Sequence, residues 1–253
     1  MTTIRLTLNG TVVADDDLWV YEWFGISAFS PLAVRNALRD NTDDELVVEV
    51  NSGGGSVFAG FEIFSLLRGA SCRTVAVVQS LAASAASTII SGCGTVQMSP
   101  VAQIMLHLPA ISTSGNRDDH RESIKLLDSI TESILNGYET KCRGKATRER
   151  LAQLMRAETW IPAQDAVEMG LADEILYQDD AAALPGDIVN AVGGSIRGLV
   201  NGAALPSAAE LRAKYAELVA QGATPADGHP VLDPTPAMTW RDKARLEIEK
   251  NKY

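Results

Sequence analysis

The tightest constraint on what this chain can fold into is the run Asn51-Ser52-Gly53-Gly54-Gly55-Ser56, which follows directly on the β-rich stretch Glu-Leu-Val-Val-Glu-Val at residues 45–50. Three adjacent glycines accept positive φ and let another backbone or a ligand approach closely, with amide hydrogens free to point at it. Val57, Phe61, Phe64 and Leu67 then recur at helical spacing. A strand, a glycine turn and a helix thus succeed one another without interruption. The unit returns in altered form. Residues 74–78 are β-rich, 79–83 read as a tight connection, and 84–91 can start a small-residue helix. Residues 95–98 and 103–106 read as short strands broken by Ser99-Pro100. Such alternation predicts an α/β core with a largely parallel sheet.

The flanks are consistent with this. Residues 4–13 alternate loosely and supply strand material, with Asn9-Gly10 expected as a turn. Pro31 suits the first turn of a short helix through Leu32, Val34 and Leu38. The longest helix is predicted over 117–138, with Ile124, Leu127, Ile130 or Thr131, Ile134 and Tyr138 as its apolar stripe. Thr147 is expected to cap a helix through Leu151, Leu154 and Met155, and residues 162–169 form another, closed by Gly170. Residues 171–177 read as a short strand. Composition changes after Tyr177. Residues 178–185 resemble a linker, Ser207 and Glu210 form a capping box before a helix reaching Val219, 222–236 are rich in proline and glycine, and 239–252 read as a charged helix. The expected organisation is a compact domain over 1–177 and a partly helical, partly flexible C-terminal extension over 178–253.

Composition excludes several function classes. With 46% apolar and 21% charged residues in 253, the chain has the make-up of a soluble globular protein. A formal charge of −10 argues against a nucleic-acid surface. The densest basic run, Lys141 to Arg150, carries no interleaved aromatics for base stacking and reads as a solvated face. Cys72, Cys93 and Cys142 give neither a disulfide framework nor a metal-site spacing, so no cofactor or metal is expected and a reducing compartment fits. The N-terminus carries no processing signature, and the most apolar stretch, Val75 to Cys93, is interrupted by four serines and a glutamine. The expectation is a cytoplasmic protein without membrane contact.

Three segments can carry chemistry. The glycine run can form an anion or oxyanion pocket around Gly54, although a simple turn accounts for it equally, and it lacks the lysine of a phosphate-binding loop. Ser84 sits among small residues, Leu81-Ala82-Ala83-Ser84-Ala85-Ala86-Ser87, at a strand-to-helix transition where a hydroxyl can attack a carbonyl and nearby amides can stabilise the resulting oxyanion. Ser84 and Ser87 read alternatively as ordinary polar groups at a helix start, and the G-x-S-x-G elbow is absent. His107 follows a strand and suits proton transfer near neutrality, or is simply a strand-end histidine. His120, at a polar helix start, and His229, between Gly228 and Pro230, are poorer candidates.

Taken in order, these segments resemble the Clp peptidase family, whose spiral α/β fold of repeated β-β-α units is shared with the crotonases. Asn51 to Val57 is similar to the family's Asn-Ser-Pro-Gly-Gly-Ser-Val, with glycine at 53 in place of proline. Ala82-Ala83-Ser84 matches the nucleophile motif, whose Ser-Met-Gly continuation becomes Ser84-Ala85-Ala86. Met105-Leu106-His107-Leu108-Pro109 resembles Met-Ile-His-Gln-Pro, and Ala166 to Asp173 resembles the closing Ala-Val-Glu-Tyr-Gly-Leu-x-Asp. The resemblance spans roughly residues 20–177. It implies Ser84 as nucleophile, His107 as general base and acid, and the amides of Gly54 and Ala85 as oxyanion donors. The family's third triad member is an aspartate eight positions before the residue matching Ala166. That position is Glu158 here, which is otherwise a surface or helix-end carboxylate; Asp165 and Asp173 fit less well.

The Ala-Ala-Ser-Ala-Ala-Ser form, the Glu-Thr-Trp segment and the tail are most similar to Clp-type head maturation proteases of bacteriophages and prophages. That narrower resemblance implies a serine endopeptidase acting on capsid or scaffold proteins. The wider one implies a homo-oligomeric ring, with an ATP-driven AAA+ unfoldase as possible partner of a housekeeping peptidase. Two other readings stay open. One is a crotonase-type acyl-CoA hydratase or isomerase, in which the Ser84/His107 pair has no required role; the other is a catalytically idle assembly subunit.

Overall fold

The structure is a computed structural model that describes residues 3–40, 45–177, 189–190 and 206–221. The chain divides into two units, Met1–Pro206 and Ser207–Tyr253. In the first, a mixed and mostly parallel sheet is built from β1 (Thr3–Val12), β2 (Ala28–Phe29), β3 (Glu45–Gly55), β4 (Arg73–Ala83), β5 (Thr95–Met98), β6 (Gln103–Leu106), β7 (Thr159–Pro162), β8 (Glu174–Ile175) and β9 (Val189–Asn190). Its helices are α1 (Leu18–Trp23), α2 (Pro31–Asp40), α3 (Val57–Arg68), α4 (Ala85–Ser91), α5 (Arg117–Cys142), α6 (Arg148–Arg156) and α7 (Ala163–Met169). In the second unit, α8 (Ala208–Ala220) starts at the expected capping box. Ser207 Oγ accepts from the Glu210 amide, and the Glu210 carboxylate accepts from the Ser207 amide. The expected linker at 178–185, the proline- and glycine-rich interval and the charged terminal helix lie outside the described residues.

The strand order is β2-β1-β3-β4-β6-β7-β9, with β5 pairing β4 and β8 beside this path. All pairings are parallel except β6 with β7 and β7 with β9. Strand β4 changes partner along its length: Val75 to Val78 face β5, whereas Leu81 to Ala83 face β6. Residues 79–83 are therefore continuing strand rather than the expected tight connection. The partner change is absorbed by an irregularity against β3, where the register moves from Val50↔Val78 to Ser52↔Ala82. The glycine run likewise ends strand β3 instead of forming a separate turn. Asn9-Gly10 does not turn the chain either: β1 runs on to Val12, with a register shift at that point as Thr11 N–H takes up the carbonyl of Ser27.

The core lies between this sheet and α3, α4 and α5. Every residue of α4 is buried, and removing Ile89 and Ile90 from water contributes roughly 2 kcal/mol each. Helix α5 buries Ile130, Ile134, Leu135 and Tyr138 in its C-terminal half, while Ile124 and Leu126 in the N-terminal half are exposed. It extends four residues beyond the expected end, closing at Arg143 in the left-handed region. Lys141 on its last turn is buried and paired with Asp173 (2.5 Å), whose carboxylate also accepts from the Val96 amide (2.6 Å). This ties α5 to β5 and the segment after α7. Among the described residues no helix is long and apolar enough to cross a membrane.

Candidate active site

Three strand ends meet at the residues singled out from the sequence. The register Ser52↔Ala82 on one side of β4 and Ala83↔Met105 on the other carries Gly54 and His107 to either flank of Ser84. Ser84 N–H donates to the Met105 carbonyl (3.0 Å), and the chain then turns directly into α4. The turn holds Ser84 at φ 55°, ψ −126°, a region that costs a side-chain-bearing residue about 1–3 kcal/mol. Its Oγ lies 2.7 Å from His107 Nε2.

His107 is one residue beyond β6. Burial pushes its pKa below the usual 6.5, and the negative charge of Glu158 opposes that shift. Neutral imidazole can accept the Ser84 proton at Nε2 only when its own proton sits on Nδ1. The antiparallel register ends at Leu106↔Thr159, so His107 and Glu158 each lie one residue beyond it. Glu158 acts on the imidazole through charge rather than a hydrogen bond in this conformation. It too has a positive φ, 48°, unusual for glutamate. Of the lesser carboxylates, Asp173 is committed to Lys141, and Asp165 is buried in the first turn of α7. His120 lies in the exposed first turns of α5 and His229 outside the described residues. Burial drives the thiols of Cys93 and Cys142 up to about 12 and about 11, which removes them as nucleophiles near neutrality.

Gly54, at φ 94°, packs so closely on the elbow that a Cβ there would lie 2.6 Å from the Ser84 Cβ and 2.9 Å from the Ala85 nitrogen. Its amide donates to Ser52 Oγ (3.1 Å), and that hydroxyl donates to the Gly10 carbonyl (2.6 Å). The amide expected to hold an oxyanion is thus engaged within its own loop. A pocket opens beside Ser84 and His107, walled by Val57, Phe61, Ala85, Ile134 and Tyr138. Tyr138 reads from the sequence as one more apolar residue of a helix stripe. In the structure its hydroxyl bonds Ser87 Oγ (2.7 Å), which donates to the carbonyl of Ser84 (2.5 Å). The sequence signal was available in α4, since Ser87 and Thr88 sit in a helix flanked by apolar residues on every side, and buried hydroxyls need partners.

A largely parallel α/β sheet thus presents a serine–histidine pair at adjoining strand ends. The family model for Clp protease matches residues 34–179, and the chain belongs to that family. It is 32% identical over 142 residues to the ATP-dependent Clp protease proteolytic subunit 1 of Chlamydia trachomatis, covering 54% of this chain and 72% of that protein. Identity to the ATP-dependent Clp protease proteolytic subunit 2 of Nocardia farcinica is 30% over 146 residues, covering 57% and 70%. With the subunit 2 of Tropheryma whipplei it is 27% over 180 residues, covering 69% and 98%.

Proposed function

We propose that the chain is a serine endopeptidase working as the proteolytic subunit of a Clp-type protease. The observation that carries this is the 2.7 Å contact of Ser84 Oγ with His107 Nε2 at the mouth of an apolar pocket. Ser84 Oγ attacks the peptide carbonyl carbon as its proton passes to Nε2. The imidazolium then delivers that proton to the leaving amine, and water repeats the sequence on the acyl-enzyme. Glu158 stabilises the positive charge that develops on the imidazole. The oxyanion falls to the Ala85 amide together with the glycine run. Because the Gly54 amide serves Ser52, its use requires that bond to be exchanged.

The relatives favour the ATP-dependent reading over capsid processing, as those compared are bacterial proteolytic subunits. A homo-oligomer is supported by the exposed outer half of α5 with Ile124 and Leu126. We read the peptidase domain as residues 1–177 in a Clp/crotonase-like spiral, supported by the two partner strands of β4, and its setting as cytoplasmic. The test is to incubate purified protein with a fluorophosphonate probe, and separately with casein and a stably folded protein, with and without an AAA+ unfoldase and ATP. Labelling on Ser84, and digestion of the folded substrate only with unfoldase and ATP, are expected. Absence of labelling in the assembled protein sinks the peptidase; cleavage of a capsid or scaffold protein by the chain alone restores the head-maturation reading.

The depressed pKa of His107 sets a direction for pH. The base must be neutral, so the labelling rate is expected to fall only as pH drops through a value below 6.5. In the window between that value and 6.5 the unfolded chain binds the extra proton, so the linked stability is complete above 6.5 and lost as pH falls. Glu158→Gln removes the charge that holds the pKa up, and the acidic limb is expected to move further down while the plateau rate drops. A limb moving upward would show that Glu158 does not face the imidazole. Glu158→Gly is expected to gain about 1 kcal/mol in urea unfolding by relieving the left-handed backbone, while losing activity like the glutamine variant.

A further inference from the structure

The peptide unit between Ser84 and Ala85 presents its carbonyl to one side and its N–H to the other, because a trans peptide is planar. On the carbonyl side the structure places three donors: the Ser87 amide (3.0 Å), the Thr88 amide (3.4 Å) and Ser87 Oγ (2.5 Å). The two amides are those of an ordinary first helical turn. The hydroxyl is an addition, and it is itself held from behind. A carbonyl oxygen only accepts, so Ser87 spends its one proton there, and Tyr138 must donate to Ser87 Oγ across 2.7 Å. Ser87, Thr88 and Tyr138 are 1%, 4% and 2% exposed, so no water competes for these groups and each bond polarises the next.

We infer that Tyr138 is a positioning residue that, through Ser87 Oγ, fixes and polarises the Ser84–Ala85 peptide so that the Ala85 N–H is aimed at the oxyanion. The inference rests on the peptidase reading above and deepens it. The relay crosses from α5 to α4 and reaches the one peptide whose two ends serve the nucleophile and the oxyanion donor. The residue it restrains is also in a sparsely populated conformation, φ 55°. The Tyr138 hydroxyl bonds Ser87, whereas the attacking hydroxyl bonds His107.

The experiment measures the second-order rate of fluorophosphonate labelling of Ser84 against pH in the full chain, for wild type, Tyr138→Phe, Ser87→Ala, Ser87→Thr and the Tyr138→Phe/Ser87→Ala pair. Phenylalanine keeps the ring in the pocket wall and removes only the hydroxyl. Each single deletion is expected to lower the plateau rate about tenfold, a fraction of the loss from deleting an oxyanion donor outright. The acidic midpoint stays in place, since His107 is untouched, and the double variant is no slower than either single one. Ser87→Thr, which retains a hydroxyl, is expected to restore most of the rate. Plateau rates at the wild-type value, losses that multiply in the double variant, or a shifted midpoint each overturn the inference. A wild-type protein that fails to label overturns instead the peptidase reading on which it stands. Thermal unfolding of each variant accompanies the rates, and a rate loss that Ser87→Thr does not recover despite wild-type unfolding also counts against the relay.

Discussion

Ser84→Ala is expected to abolish fluorophosphonate labelling and to lower peptide hydrolysis by about ten-thousand-fold or more, leaving only what binding and the oxyanion site provide. Loss of activity alone would not separate a nucleophile from a structural hydroxyl, so the companion variant is Ser84→Gly. At φ 55°, ψ −126° the side chain is held where glycine is at ease and alanine is not. Glycine is expected to be as inactive as alanine yet more stable by about 1 kcal/mol, after allowance for its greater unfolded-state entropy. A serine kept in a position that costs stability is a serine kept for its hydroxyl. If Ser84→Gly is instead markedly less stable than Ser84→Ala in urea unfolding, the strain is not stored at the elbow. If Ser84→Ala hydrolyses peptides at the wild-type rate, the site is elsewhere.

The second large effect is expected at Gly54. Alanine there meets the Ser84 Cβ at 2.6 Å, the Ala83 carbonyl oxygen at 2.8 Å and the Ala85 nitrogen at 2.9 Å, and the backbone stands at φ 94°. None of these is the flexible end of a long side chain, so the elbow itself must move. Backbone penalty and overpacking together are expected to cost about 4 kcal/mol, a large part of what holds a domain folded. Gly25 supplies the control. It also has a positive φ, 66°, but nothing lies within 4 Å of an added Cβ, so Gly25→Ala carries only the backbone penalty of about 1 kcal/mol. Both variants are compared by urea unfolding and by Ser84 labelling in buffer. Equal destabilisation of the two, or full labelling in Gly54→Ala, would show that Gly54 does not brace the nucleophile.

The parts of the fold legible in the sequence are those set by neighbours along the chain. Strands β5 and β6, bounded by Ser99-Pro100, fall where their β-rich tetrapeptides stand, and α6 and α8 begin at Thr147 and Ser207 because a cap acts over three residues. What escaped are elements too short to show a period: α1 has six residues and β2 two. Strand β7, the four residues directly after Glu158, reads from the sequence only as the approach to a helix. At 79–83 the structure departs from the expected connection for a different reason. Those residues carry the serine and small side chains of a loop, yet the strand continues through them to where β6 pairs with Leu81 to Ala83 from a distance in sequence.

The chemistry divides the same way. The sequence by itself determined which groups are present and on what local frame: a glycine run after a strand, a serine at a strand-to-helix turn, a histidine at a strand end, and the carboxylate of Glu158. Only the tertiary structure decided what they do to one another. The partner change of β4 seats Ser84 between Gly54 and Met105; the antiparallel pairing of β6 with β7 brings the charge of Glu158 to bear on His107; and the packing of α5 on α4 brings the Tyr138 hydroxyl to the nucleophile's peptide. The glycine run is the feature where the two diverge most. Its sequence offers free amides, and the fold commits that of Gly54 to Ser52 while pressing its Cα against Ser84. Backbone conformation is chosen by residues a few positions apart, whereas strand register and helix packing are chosen by apolar surfaces that meet only when the whole chain has closed on itself.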